Sequence, residues 1–154
     1  MAIRNIFPIG EPVLRKKAKQ VEVFDQRLHM LLDDMWDTLR KEEGAGLAAN
    51  QVGVLKRACL VSFRGQDYEL INPVILEKSK ETAIEEEGCL SVKDKQGRCL
   101  YDKVERPVKV KVRAQDRFGK FFTRTFEGWL ARAVCHETDH LDGILYVDLV
   151  KKGK

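Results

Sequence analysis

A chain of 154 residues with 28 Lys+Arg against 24 Asp+Glu carries a net charge of only +4. Its 44% hydrophobic and 34% charged residues describe a soluble globular chain, and no run approaches the roughly 20 apolar residues of a membrane span. The length suits a single domain over 1–154 with a radius of gyration of about 15 Å, and the charge is too dispersed to demand nucleic acid.

Residues 1–8 contain neither an apolar core nor a small-residue cleavage site, so no secretory signal is expected and the location reads as cytoplasmic. Pro12 suits the first turn of a short helix over residues 13–17. Asp25 is placed to cap a long helix reaching about Glu43. In it Leu28, Leu31, Leu32, Met35, Trp36 and Leu39 recur at i, i+3 and i+4, which predicts one buried stripe. His29 has no partner histidine nearby and reads as structural. Gly44 and Gly46 end the helix.

Two β-rich runs follow, 58–63 and 68–76, separated by the turn-forming Arg64-Gly65-Gln66-Asp67. Glu87-Gly88-Cys89-Leu90-Ser91 reads as unusual backbone around a glycine, and Cys99 as part of a charged loop. Val108, Val110, Val112 and Ala114 alternate with Lys109, Lys111 and Arg113, a strand with one wet face. Residues 116–120 form a hairpin turn into a strand over 121–126. A helix over 129–141 closes at Gly143, a last short strand covers 144–149, and Lys151, Lys152 and Lys154 make a small basic tail. The pattern is α+β without βαβ alternation. It implies antiparallel or mixed sheets around a C-terminal helix, with a long N-terminal helix.

That C-terminal helix carries His136-Glu137-Thr138-Asp139-His140, an H-E-x-x-H. At about 100° per residue the two histidines lie about 40° apart, so both imidazoles can reach one metal ion. Glu137 falls beside the ion, placed to handle the proton of a bound water, and Asp139 is placed to hold an imidazole N–H. A structural alternative is two helical histidines paired with nearby acids.

A catalytic metal takes three protein ligands. The longer protease motif H-E-x-x-H-x-x-G-x-x-H fits Gly143, but Tyr146 stands at its third histidine. Cys135 points about 100° and 140° away from the two histidines on a helical wheel. No C-x-x-C pair exists among Cys59, Cys89, Cys99 and Cys135. Cys89, beside a glycine, is the best remaining candidate.

Gly44-Ala45-Gly46-Leu47-Ala48-Ala49-Asn50-Gln51, Glu87-Gly88-Cys89-Leu90-Ser91 and the H-E-x-x-H resemble, in order and spacing, the three signature motifs of the peptide deformylases. The likeness extends to Gly10-Glu11-Pro12-Val13-Leu14-Arg15 and Leu130-Ala131-Arg132. The resemblance implies hydrolysis of the formyl group from the formyl-methionine of nascent polypeptides. It also implies one divalent metal, natively ferrous iron, with zinc, nickel or cobalt as substitutes. Carried onto this chain, Cys89, His136 and His140 would hold the metal and Glu137 would be the general acid and base. Gln51 and the Leu90 N–H would be oxyanion donors. Gly44, Ala45, Gly46, Leu47, Gly88, Trp129 and Ala133 would bind the formyl-methionyl peptide, with Glu85 near the methionine pocket.

The chain departs from the family pattern in three places. Lys93-Asp94 replaces a Pro-Gly and the stretch to Arg106-Pro107 is longer, which unsettles any peptide contact by Arg98. Cys135 replaces a glutamine. The sequence stops soon after Asp148, so ribosome docking through a C-terminal helix is not expected. The competing readings are a zinc endopeptidase and a non-catalytic metal- or peptide-binding module.

Overall fold

Asp25 caps the first α-helix by accepting a hydrogen bond from the Leu28 N–H at 3.2 Å. This helix, α1, runs over Gln26–Lys41 in the computed structural model, which describes residues 2–150. The basic tail of Lys151, Lys152 and Lys154 lies outside the described residues. Helix α1 stops two residues short of Glu43, which takes the left-handed conformation (φ 54°) usually filled by glycine. Gly44 N–H then bonds Leu39 O and Glu43 N–H bonds Arg40 O, both at 3.1 Å, satisfying the last carbonyls. The stripe Leu28, Leu31, Leu32, Met35 and Leu39 packs on Leu47, Leu60 and Ile71. Each such side chain contributes roughly 1.5–3 kcal/mol on burial.

Beneath α1 lies a five-stranded sheet, antiparallel throughout, whose strands stand in the spatial order 46–48, 58–63, 66–78, 109–115 and 121–127. Its strands are β1 (Gly46–Ala48), β2 (Ala58–Phe63), β3 (Gln66–Lys78), β6 (Lys109–Gln115) and β7 (Phe121–Glu127). Arg64 and Gly65, both at positive φ (51° and 81°), make the two-residue turn between β2 and β3. Along β6 the buried Val110, Val112 and Ala114 alternate with Lys109, Lys111 and Arg113, the wet face foreseen from the sequence.

The segment read as loop around Cys89 and Cys99 is instead a separate hairpin of β4 (Thr82–Lys93) and β5 (Cys99–Pro107). Its charge on both faces, Glu85-Glu86-Glu87 in one strand and Asp102-Lys103 in the other, hides the period-2 signal. Two shorter expectations also change. Residues 12–15 form only a 3-10 turn. The strand expected over 144–149 is a 3-10 turn at Tyr146–Leu149, because the Asp148 carboxylate accepts the Leu145 N–H at 3.1 Å. Only Val150 then pairs, with Val104 of β5.

Helix α2 (Trp129–Leu141) packs Ala131, Val134 and Leu141 against Val110, Val112 and Phe126. It touches β1 and β2 on one side and the hairpin on the other. That position brings its histidines to the junction of the two sheets.

Candidate metal centre

His136 and His140 lie one helical turn apart on α2, their ring centroids 5.1 Å from each other. Cys89 comes from β4 through a break in the ladder. Gly88 faces Tyr101 and Lys93 faces Cys99, so the four residues 89–92 stand opposite the single Leu100. Such a bulge re-aims side chains. Here it turns the Cys89 thiol toward α2, with Sγ 3.3 Å from His140 Nε2.

One ligand atom from each of Cys89, His136 and His140 lies within 4.8 Å of the other two, all three residues being buried. It is the only such group among the described residues. A thiolate with two imidazoles suits zinc or ferrous iron and leaves a coordination position open. Glu137 Oε1 is buried without a protein partner, as expected where a further group belongs. Burial, with the nearby Arg106 charge, keeps His140 neutral, the form that ligates.

Asp139 does not hold His136. Glu87 does, accepting from His136 Nδ1 at 2.9 Å. The same carboxylate accepts from Arg106 Nε at 2.8 Å and Nη2 at 3.0 Å, and from Arg132 Nη1 at 2.7 Å. Burial alone would raise Glu87, but His136 and Arg106 hold its pKa at about 2. Asp139 accepts from the remaining Arg106 nitrogen, Nη1, at 2.6 Å. With Nδ1 occupied by Glu87, His136 presents Nε2 to the centre.

Glu137 stands over Gly46 of β1, where any Cβ would collide with its carboxylate. Burial pushes the Glu137 carboxyl up to about 7, against the pull of His136. The Gln51 amide is fixed at both ends. Its Oε1 accepts from Ala48 N–H at 2.9 Å, and its Nε2 donates to Ser91 Oγ at 3.1 Å while lying 3.5 Å from Cys89 Sγ.

Cys89, His136, Glu137 and Gln51 open onto a cavity of about 280 Å³. Gly44, Ala45, Gly46, Gln51, Gly88, Cys89, Leu90, Trp129, Ala133, His136 and Glu137 all line it. Leu47, expected beside a substrate, does not line it, because its side chain is fully buried under α1. Glu85 is exposed and off the cavity, and Arg98 bonds Asp94 instead.

A family model described as polypeptide deformylase matches residues 3–154. The chain belongs to this family. The peptide deformylase of Caldicellulosiruptor bescii is 56% identical over 150 residues, covering 97% of this chain and 87% of that one. Peptide deformylase 1 of Bacillus subtilis is 47% identical over 156 residues, covering 99% and 92%. The crystal structure of the Thermotoga maritima peptide deformylase superposes with a TM-score of 0.92 at 38% identity, covering 97% and 98%. An actinonin-bound class I type b enzyme from Acinetobacter baumannii gives 0.90 at 35% identity, covering 98% and 100%.

Within this deformylase framework, sequence reading missed the cavity residues Glu42, Cys99, Tyr101 and Arg132. Tyr101 sits on β5, whose ring covers Gly88 across the ladder, and only the hairpin pairing reveals it. Arg132 carried a signal in the quoted Leu130-Ala131-Arg132, a cation in an otherwise apolar first turn. Tyr146, in place of a protease's third histidine, stacks on His136 at 6.0 Å and donates its hydroxyl to Leu100 O at 2.6 Å. His29 donates from Nε2 to the Arg117 carbonyl at 2.8 Å, in keeping with a structural role. Burial pushes the Cys135 thiol up to about 11, which leaves it an inert neighbour.

Proposed function

We propose that this protein hydrolyses the formyl group from the N-terminal formyl-methionine of nascent polypeptides, releasing formate in the cytoplasm. The observation that carries the reading is the convergence of Cys89, His136 and His140 within 4.8 Å of one another, beside a cavity lined by Cys89, His136 and Glu137, whose Oε1 is unpaired. Cys89, His136 and His140 would hold a divalent ion, natively ferrous iron with zinc, nickel or cobalt as substitutes. Bound there, it would polarise the formyl carbonyl and lower the pKa of water.

The remaining work falls to the chain. Glu137 takes the proton of the attacking water and returns it to the departing amine. The Gln51 amide and the Leu90 N–H face the oxygen that gains negative charge. One donor of this kind is typically worth about 2.7–4 kcal/mol. Strand β1 lies at the edge of its sheet, so an extended peptide has Gly44, Ala45 and Gly46 to lie along. Gly88, Trp129 and Ala133 surround the methionine side chain.

The test pairs a formyl-Met peptide with an acetyl-blocked peptide of the same sequence, incubated with metal-loaded protein. Formate from the first and intact chain from the second are expected. Internal cleavage of the blocked peptide would favour an endopeptidase and overturn the reading. Actinonin, bound in the A. baumannii structure, should suppress the formate signal.

A further inference from the structure

The three ligands reach the centre from two bodies that share no sheet. Cys89 rides on the β4–β5 hairpin, whereas His136 and His140 ride on α2. Ligand distances at a metal are held to about 0.2 Å, so the hairpin must be fixed against the helix. Apolar contacts alone tolerate more slippage than that.

Buried polar ties cross this junction, and Arg132 makes three of them. From the first turn of α2 its guanidinium donates to Ala83 O on β4 at 2.9 Å and to Val104 O on β5 at 2.9 Å. It also reaches Glu87, the carboxylate that orients His136, at 2.7 Å. Arg132 is only 6% exposed. Arg106 contributes differently. It belongs to the hairpin, as Glu87 does, and its one tie to α2 is Asp139, whose side chain is 26% exposed.

We infer that Arg132 is a positioning residue for the metal centre, setting the separation between Cys89 on the hairpin and the two histidines on α2. The chemistry suits arginine alone. A planar guanidinium offers five donors in a rigid fork and satisfies three acceptors on two strands at once. A lysine ammonium is a point donor on a flexible stem and cannot span them. The inference rests on the reading of Cys89, His136 and His140 as metal ligands, and not on the reaction carried out there.

The test uses the cobalt-loaded full-length protein and reads two properties, its ligand-field and thiolate-to-cobalt absorption bands and the rate of cobalt loss to a chelator. Arg132→Met and Arg132→Lys are compared with Val104→Ala, which opens a cavity in the hairpin's buried side but keeps every polar tie. Both Arg132 variants should shift the cobalt bands and lose cobalt at least about 10-fold faster. They should also lower kcat more than they raise KM. Val104→Ala should lose stability with bands and loss rate unchanged. Should Arg132→Met fail to fold, Arg132→Lys carries the comparison.

Wild-type bands and loss rate in the Arg132 variants would overturn the inference, as would an equal change in Val104→Ala. Failure of the deformylase reading looks different, with normal cobalt bands and no formate. Wild-type protein that binds no cobalt would overturn this inference together with the metal reading.

Discussion

Gly46 shows how a single position ties backbone to chemistry. The sequence suggests that small residues here let a peptide approach, but the nearest group is the Glu137 carboxylate, which fills the space a Cβ would take. A methyl at this position meets Glu137 first and pushes that carboxylate aside. Gly46→Ala should therefore keep its metal and fold and lose about 100-fold in kcat, the scale of a catalytic group misplaced by roughly 1 Å. Metal content and formate release on one sample check this, and a full rate would show that Glu137 tolerates the shift. Glu87 illustrates the opposite case. Its role was invisible in the sequence because the acid that orients His136 lies 49 residues away on another element. The helix offered a nearer candidate in Asp139, and long-range pairing won because two buried arginines stabilise the Glu87 charge.

At the scale of elements, α1 tests the packing account. Leu32 is fully buried among Leu28, Met35 and Leu60, so Leu32→Ala should cost about 2–5 kcal/mol in denaturant unfolding. The N-terminal segment is held to α1 by Asp34, which accepts from Ala2 N–H at 2.9 Å and Arg4 Nε at 3.0 Å. Burial by itself would raise this carboxyl, but those donors hold it below its ordinary value. A depressed carboxyl stabilises the fold above its unfolded pKa of about 3.9, and that stability is lost as pH falls through the folded value. Asp34→Asn should thus lower Tm more at neutral pH than near pH 3, and an equal loss at both would contradict the assignment. Elements with a clean period, α1, α2, β2 and β6, were legible from sequence, as was the Cys89, His136 and His140 cluster once the motifs were placed in order. The β4–β5 hairpin was not, because its buried face carries Glu87 and Arg106 while its other face carries exposed charge, so the apolar alternation is lost. The last turn was also missed. There one Asp148 side chain decides between turn and strand, and propensity cannot see that bond.

Across the whole molecule, the site is a joint between two sheets and a helix. The sheet supplies Gly46 and the Ala48 N–H that fixes Gln51, the hairpin supplies Cys89, and α2 supplies the histidines and Glu137. An ion bound across that joint favours the folded chain by mass action, about 2.7 kcal/mol at a hundredfold excess over Kd. Chelator-treated protein should melt at a lower temperature than the same protein reloaded with nickel or zinc, and an unchanged Tm would remove the ion from the joint. The most direct measurement sets metal content beside formate release for the wild type and Glu137→Ala, both loaded with the same metal. Equal metal is expected in the two, with formate released by the wild type and reduced by about 10²–10⁴ in the variant. A variant that keeps its metal and its full rate, or a loaded wild type that releases no formate, would contradict this expectation.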